Sequence, residues 1–330
     1  MRRVLVLLLL LGLIAAAAAG AVAWERANYA APGPEAAKGD ATVVLIPPGE
    51  GVTAIANTLE KAGVVKSAML FRWAVRFRGL GHTLKAGEYR IPSAASMQNI
   101  VAILRSGTSI QHKLTAAEGL TSAMIYDLVK ADPVLTGDAG PVPAEGTLLP
   151  ETYLFTRGTT RAELLARMHK AQTKLLATLW SGRAKNLPIA TPREALILAS
   201  VVEKETARPA ERRHIAAVFE NRLARGMKLQ SDPTIIYGLT KGYPLGRGIR
   251  ESELARATPY NTYVIDGLPP TPICNPGRDS IAAVLNPAHS DDLFFVADGT
   301  GGHVFAATAA QHRKNVARWR KIERRAKHRR

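Results

Sequence analysis

Two carboxylates one residue apart, Glu203 and Glu205, close the stretch EALILASVVEKET (residues 194–206), whose other positions are mostly apolar. On a 3.6-residue repeat Glu205 falls on the stripe of Leu198, Val201 and Val202, at i−7, i−4 and i−3. Two helical steps turn Glu203 roughly 200° away, over Leu196, Ala199 and Ser200. The spacing therefore separates the two groups instead of pairing them. A carboxyl group held against an apolar wall has its charged form disfavoured, so it keeps a proton toward neutral pH, which is what a general acid needs. Both residues could equally be helix-end carboxylates paired with Lys204, Arg208, Arg212 or Arg213, and spacing alone leaves that open.

Other residues could complete a site around such an acid. QSDP (residues 230–233) offers Gln230, Ser231 and Asp232, with Asp232 expected to cap a helix at Pro233. YNTY (260–263) sets Tyr260 and Tyr263 around Asn261 and Thr262; aromatic faces offer apolar contact while amide and hydroxyl groups offer hydrogen bonds. Asp232 as a plain cap and Tyr263 as a core tyrosine are the structural alternatives. In GLPPTPICNPGRDS (267–280) the prolines make a stiff wall, and Asn275 before Pro276 looks like the cap of a helix running to about Leu285. LFFVADGTGGHVFAAT (293–308) has the pattern of a strand, a glycine turn and a returning strand that carries His303, with Thr308 and Gln311 opening a last helix. The eight histidines show no HExxH or other tight ligand spacing, so neither a metal nor a cofactor is expected.

These residues need a folded, exported frame. At 330 residues, 47% hydrophobic and 22% charged, the chain is long enough for two or three folding units and is not a disordered polymer. One cysteine, Cys274, excludes an intrachain disulfide, so the fold must rest on its core. Residues 1–24 contain the uncharged run VLVLLLLLGLIAAAAAGAVAW behind Arg2 and Arg3, which is long enough to cross the ~30 Å hydrocarbon layer and leaves the rest of the chain outside. The small-x-small AVA (residues 21–23) also fits a cleaved signal peptide. Residues 25–40, rich in Ala, Pro and Gly, form an expected tether.

A β-α-α-β-α module is expected over 41–112, with Ser96 capping its last helix and Gly107 stopping it. A connecting helical region follows over 113–188; Thr160 and Glu163 make a capping box for its long helix. The larger α+β domain spans 189–317 and opens on TPRE, with Thr191 as cap, Pro192 at the first helical position and Glu194 completing the box. The helix that follows is apolar on every side and must be buried. Net charge is +17, and residues 318–330 (RWRKIERRAKHRR) hold eight Lys and Arg against one Glu. Such a tail suits nucleic acid or anionic lipid, although a solvated helix end explains it as well.

The stretches LILASVVEKET, ERRHIAAVFENRLARGMKLQSDPTIIYGL, ATPYNTYVIDGLPPTPICNPGRDSIAAVLNPA and LFFVADGTGGHVFAAT closely resemble the MltG (YceG-like) family of membrane-anchored endolytic murein transglycosylases, with looser matches at EGL (118–120), EGTLLPETY and LKAGEYRI. The resemblance implies a catalytic glutamate at the second position of EKET, Glu205, with Glu203 supporting at most. For a glycan substrate the candidate contacts are Gln230, Ser231, Asp232, Tyr260, Asn261, Thr262, Tyr263 and Asn275, whose rings can pack on sugar C–H surfaces while their amide and hydroxyl groups bond to hydroxyls. It also implies a LysM-like fold for 41–112 and a retained N-terminal helix. The expected protein is thus a single-pass inner-membrane lyase with its catalytic domain in the periplasm. It would cut the MurNAc–GlcNAc bond within glycan strands, leaving 1,6-anhydro ends and terminating nascent strands. Its expected partners are peptidoglycan, membrane lipid and cell-wall synthases, with no nucleic acid. Thr271 and Cys274 depart from the commoner glycine and small residue. A membrane-anchored peptidoglycan scaffold that does not cut is the alternative.

Overall fold

Alternating burial and capping chemistry place most elements where the sequence puts them. A computed structural model of the chain describes residues 2–327, with side chains over 8–325. Met1 of the expected anchor and residues 328–330 of the expected basic tail lie outside the described residues. The chain divides into two units, 1–112 with 154–158 and 113–153 with 159–330.

The first unit opens with helix α1 (Arg2–Ala30), of which Leu8–Ala30 is long and apolar enough to cross a membrane, with a mean hydropathy of 2.0. The expected tether at 25–40 is corrected here, because α1 runs six residues past Trp24. Glu25 to Ala30 are adequate helix formers with Tyr29 buried in the unit's core, and Pro32 ends the run because the residue before a proline avoids helical geometry. Strand β1 (Ala41–Ile46), α2 (Val52–Lys61), α3 (Ala68–Phe77), β2 (Gly87–Pro92) and α4 (Met97–Ser106) then follow in the expected β-α-α-β-α order. β1 and β2 pair antiparallel from Ala41 opposite Pro92 to Ile46 opposite Gly87. Val44, Ile46, Tyr89 and Ile91 point to one core with Leu59, Phe71, Val75, Ile100 and Leu104 from the helices. Ser96 caps α4, and Gly107 ends it in the left-handed conformation, φ 72°, which a residue without a Cβ adopts without strain.

The second unit carries all but the first residue of β3 (His112–Thr115), α5 (Ser122–Ala131), the first two residues of β4 (Thr152–Phe155), α6 (Arg161–Ser181), α7 (Pro192–Glu205), α8 (Arg212–Ala224), α9 (Asp232–Thr240), the one-turn α10 (Glu251–Leu254), α11 (Arg278–Leu285), β5 (Phe294–Ala297), β6 (His303–Ala306) and α12 (Ala309–Lys327). The protein is thus a mixed α+β chain in which each sheet has two strands. α7 lies at the centre of the second core. Every residue from Ala195 to Val202 is buried, and Leu198, Val201 and Val202 pack with Ile215 and Phe219 of α8 and Ile281 and Val284 of α11. Thr191 accepts from the Glu194 N–H, and the Glu194 carboxylate accepts in return from the Thr191 N–H, so the capping box fixes where α7 begins. Thr206 leaves helical geometry at φ −140°, ψ 134°, which fixes where it ends. The position of Glu205 is therefore set from both ends of a rigid rod.

Candidate active site

The Glu205 carboxyl stands at the C-terminal end of α7, where the side chain is half-buried in the wall of a cleft of about 420 Å³. Oε1 accepts a hydrogen bond from the Ser231 hydroxyl at 2.6 Å. Burial is the main influence on Glu205 and pushes its pKa up to about 7; the Ser231 hydroxyl opposes the shift, nearby Asp232 adds to it, and His303 and Arg222 oppose it. A half-protonated carboxyl near neutrality can both give and take a proton.

Ser231 reaches Glu205 because the backbone around it is held from several sides. Gln230 adopts a left-handed conformation, φ 54°, which is uncommon for a residue with a side chain and is found at turns and functional sites. Its N–H donates to the Thr262 carbonyl at 3.1 Å, and the Ser231 N–H donates to Thr262 Oγ1 at 2.9 Å. Thr234 Oγ1 lies 2.9 Å from Thr262 Oγ1, so the two loops QSDP and YNTY are joined by buried hydroxyls. Arg222, buried on α8, donates to the carbonyls of Lys228, Leu229 and Leu293 and to Gln230 Oε1. It pins the 228–230 loop to the residue before β5.

The opposite wall comes from β5 and β6. Phe295, Val296, Ala297 and His303 line the cleft together with Gln230, Asp232 and Tyr263. The Tyr263 hydroxyl donates to Asp232 Oδ1 at 2.7 Å, and burial with this bond raises the Tyr263 pKa, so the phenol stays neutral. Glu211 grips His303 twice, taking its backbone N–H at 3.1 Å and meeting Nδ1 at 2.7 Å. Burial would raise the Glu211 pKa, but the two His303 contacts outweigh it and lower it. A carboxylate on Nδ1 fixes that nitrogen as the donor and leaves Nε2 as the ring nitrogen free for other bonds. A Cβ on Gly302 would meet Glu211 Oε1 at 2.5 Å, so a side chain there would have to displace the carboxylate that holds His303.

Glu203 has a different environment. Its Oε2 accepts the Gly277 N–H at 2.9 Å, and Oε1 lies 3.5 Å from Arg212, which also meets Glu118 at 3.2 Å and Asp279 at 3.5 Å. The ion-pair alternative raised by the sequence thus holds for Glu203 and not for Glu205. Gly277 admits the Glu118 carboxyl where a Cβ would stand.

Of the sequence-derived residues, Gln230, Asp232 and Tyr263 line the cleft and Ser231 touches Glu205, whereas four others are placed differently. Thr262 and Asn261 are buried; Asn261 Nδ2 holds the carbonyls of Glu253, Leu254 and Arg256. Tyr260 tilts against Tyr237, with its hydroxyl 2.8 Å from Thr271 Oγ1. Asn275 is wholly buried, donating to the Leu120 carbonyl and Ser122 and accepting from the Leu148 N–H.

Two expected caps are corrected. α9 starts at Asp232 itself, with Ser231 in the cap position and its hydroxyl turned to Glu205 instead of the helix. α11 is preceded by Gly277, because the Asn275 amide is consumed by chain segments far away in sequence.

Residues 44–318 match the YceG-like family. The chain belongs to that family. It is 32% identical over 323 residues to a protein named endolytic murein transglycosylase from Streptococcus pneumoniae serotype 2 (strain D39 / NCTC 7466), covering 83% of this chain and 57% of that one. A Bacillus subtilis (strain 168) protein of the same name is 32% identical over 302 residues, covering 82% of each chain. The chain therefore spans little more than half the length of the streptococcal relative but most of the Bacillus one. The 2.6 Å crystal structure of a yceG-like protein from Listeria monocytogenes superposes with a TM-score of 0.51 at 30% identity, over 84% of this chain and 99% of that one.

Two cleft residues of this YceG-like chain, Arg222 and Phe295, and Glu211 behind His303 belong to no motif of the sequence. Arg222 had a usable signal: it follows Ile215 and Phe219 at helical spacing, which puts a charged residue on a buried stripe. Phe295 reads as an ordinary strand residue. Glu211 acts on His303 across a separation of 92 residues, and no local pattern announces that.

Proposed function

We propose that this chain is a lytic transglycosylase that cuts within peptidoglycan strands, a lyase acting on polysaccharide, with Glu205 as its single acid and base. The names of the relatives support the reaction class. The observation that carries the assignment is the Glu205 carboxyl, raised to about 7 by burial while Oε1 accepts the Ser231 hydroxyl. Oε2 then holds the proton for transfer. Glu205 protonates the oxygen that links MurNAc to GlcNAc, the C1–O bond breaks, and the muramyl 6-hydroxyl attacks C1. The ionised Glu205 takes the hydroxyl proton and is restored, leaving a 1,6-anhydro end with no water consumed. An enzyme that retains or inverts by hydrolysis needs a second carboxylate as nucleophile or base. Asp232, the other carboxylate at the cleft, is bound by the Tyr263 hydroxyl and serves here to orient it.

Gln230, Asp232, Tyr263 and His303 contact the sugar, while Arg222, Asn261 and Thr262 position the loops that present them. Tyr260 and Asn275 brace the surrounding frame. The 41–112 module is a LysM-like peptidoglycan binder, a role that its β-α-α-β-α order supports. α1 is a single-pass anchor in the plasma membrane with the catalytic domain in the periplasm, which its length and apolarity support. Such a position brings the enzyme to nascent strands beside the cell-wall synthases.

The test is to incubate the chain with glycan strands and look by mass spectrometry for internal cuts with anhydro ends. We expect them from the wild type and not from Glu205→Gln. Binding of strands with no anhydro product from the wild type would instead establish a scaffold that does not cut.

A further inference from the structure

Helix α3 has a face that its own unit leaves uncovered. Phe71, Ala74 and Val75 point into the core, whereas Met69, Trp73 and Phe77, at i, i+4 and i+8, form an apolar ridge on the outside, 57%, 50% and 74% exposed. The Trp73 and Phe77 rings stack with centroids 5.5 Å apart. A solvated helix would carry polar residues there.

The ridge adjoins the membrane-crossing candidate. Trp73 and Phe77 line one groove together with Ala21 and Trp24 of α1, and Phe77 lines a second with Ala21 and Val22. Arg78, just past the end of α3, pairs with Glu25 and lies 3.6 Å over the ring of Tyr29. Tyr29 itself belongs to the buried core, so the last turns of α1 and the end of α3 are fastened together.

That junction sets a depth. The uncharged run 4–24 rises about 1.5 Å per residue and fills a hydrocarbon layer of ~30 Å. Trp24 then stands at its edge, and Ala21 lies roughly 4–5 Å further in. Side chains that pack beside Ala21, Val22 and Trp24 share that depth. Trp73 and Phe77 thus reach the level where Trp is enriched in membrane proteins and where interfacial helices bury their apolar faces. Arg72 and Arg76 flank the ridge on α3 and Arg26 lies on α1, while Glu25 is already paired with Arg78. The remaining charge suits anionic headgroups.

We propose that α3 is an interfacial helix: the Met69, Trp73 and Phe77 ridge seats in the headgroup boundary of the bilayer that α1 crosses, with Arg72 and Arg76 on anionic phospholipid. This seats the 41–112 module on the membrane surface instead of leaving it to swing on a tether. The proposal rests on the reading of α1 as an anchor.

The test uses the full chain in nanodiscs of phosphatidylethanolamine and phosphatidylglycerol. Two single-tryptophan forms are made by replacing the other three tryptophans with phenylalanine, one keeping Trp73 and one keeping Trp24. Lipids brominated near the top of the acyl chain should quench Trp73 by at least half as much as Trp24, with blue-shifted emission. Adding Phe77→Lys, an exposed change that leaves the core intact, should cut the Trp73 quenching at least twofold, and Arg76→Glu should weaken its dependence on phosphatidylglycerol. Trp24 quenched while Trp73 stays red-shifted and open to aqueous iodide would overturn the proposal and leave the ridge to a protein partner. Unquenched Trp24 would overturn the anchor reading with it. Trp73 quenching unaffected by Phe77→Lys would also overturn the proposal, because the ridge would then not be the contact.

Discussion

The two sides of the end of α7 hold the same functional group and treat it in opposite ways. On one side Glu203 meets an arginine and a backbone N–H. On the other, Glu205 receives one neutral hydroxyl in a cleft of mixed apolar and polar lining, and burial raises its pKa to about 7. Burial alone does not make a catalytic acid, since the Glu203 side chain is itself only 5% exposed. What separates them is the partner. An arginine and a backbone donor tie Glu203 to α8 and to the start of α11, while burial beside a single hydroxyl leaves Glu205 able to exchange its proton. Glu220 on α8 is a third case: it is buried and its Oε1 has no hydrogen-bond partner, and burial pushes its pKa to about 8. It lies outside the cleft lining and does no chemistry in the proposed reaction.

The largest effect expected is on cutting. Glu205→Gln should lower the rate of anhydro-end formation by about 10²–10⁴-fold, the usual contribution of a general acid, while the variant still unfolds cooperatively. Glu203→Gln should do the reverse: cutting persists, and denaturant unfolding shows a loss of about 1.5–3 kcal/mol, as expected for a hydrogen bond to a charged group. If Glu203→Gln abolished cutting at unchanged stability, the roles would have to be exchanged.

Ser231→Ala sharpens the contrast more gently. Its hydroxyl favours the ionised form of Glu205, so removing it should raise that pKa further. The alkaline limb of the pH–rate profile, which falls as Glu205 loses its proton above about 7, should then move to higher pH. A limb that moved to lower pH would contradict the hydrogen bond seen here. Asp232→Asn should slow the reaction yet still give anhydro ends; products with reducing ends, or a complete loss equal to that of Glu205→Gln, would make Asp232 a second catalytic carboxylate.

The smallest effect concerns stability alone. Glu205 and Glu220 both have folded pKa values above the ordinary 4.5, so the folded state keeps protons that the unfolded chain releases. Stability is greatest below pH 4.5 for these two groups and is lost as pH rises through about 7 and about 8. Glu220→Gln cannot ionise and should therefore lose less stability than the wild type as pH rises from 5 to 9. Calorimetry of wild type and variant between pH 5 and 9 would check the sign; equal pH dependence in both would mean that Glu220 is solvated.

Much of this arrangement was legible because it is local. The capping boxes at Thr160 and Thr191, the glycine stop at Gly107 and the β5–β6 hairpin depend on residues a few positions apart, and each stands where its pattern predicts. The opposite faces of Glu203 and Glu205 follow from helical geometry alone once the helix is known. The end of α1 was missed because an Ala- and Pro-rich segment looks like a tether until Tyr29 is seen to enter a core.

The sequence by itself determined the rods, their ends and the face on which each carboxylate stands, since backbone hydrogen bonding and periodicity act over one or two turns. Which carboxylate meets an arginine, why Ser231 turns its hydroxyl to Glu205 instead of capping α9, and how Glu211 holds His303 across 92 residues were decided only by the tertiary structure. Those contacts join segments far apart in the chain. A pKa depends on the groups that surround a side chain in space, and only folding brings them together.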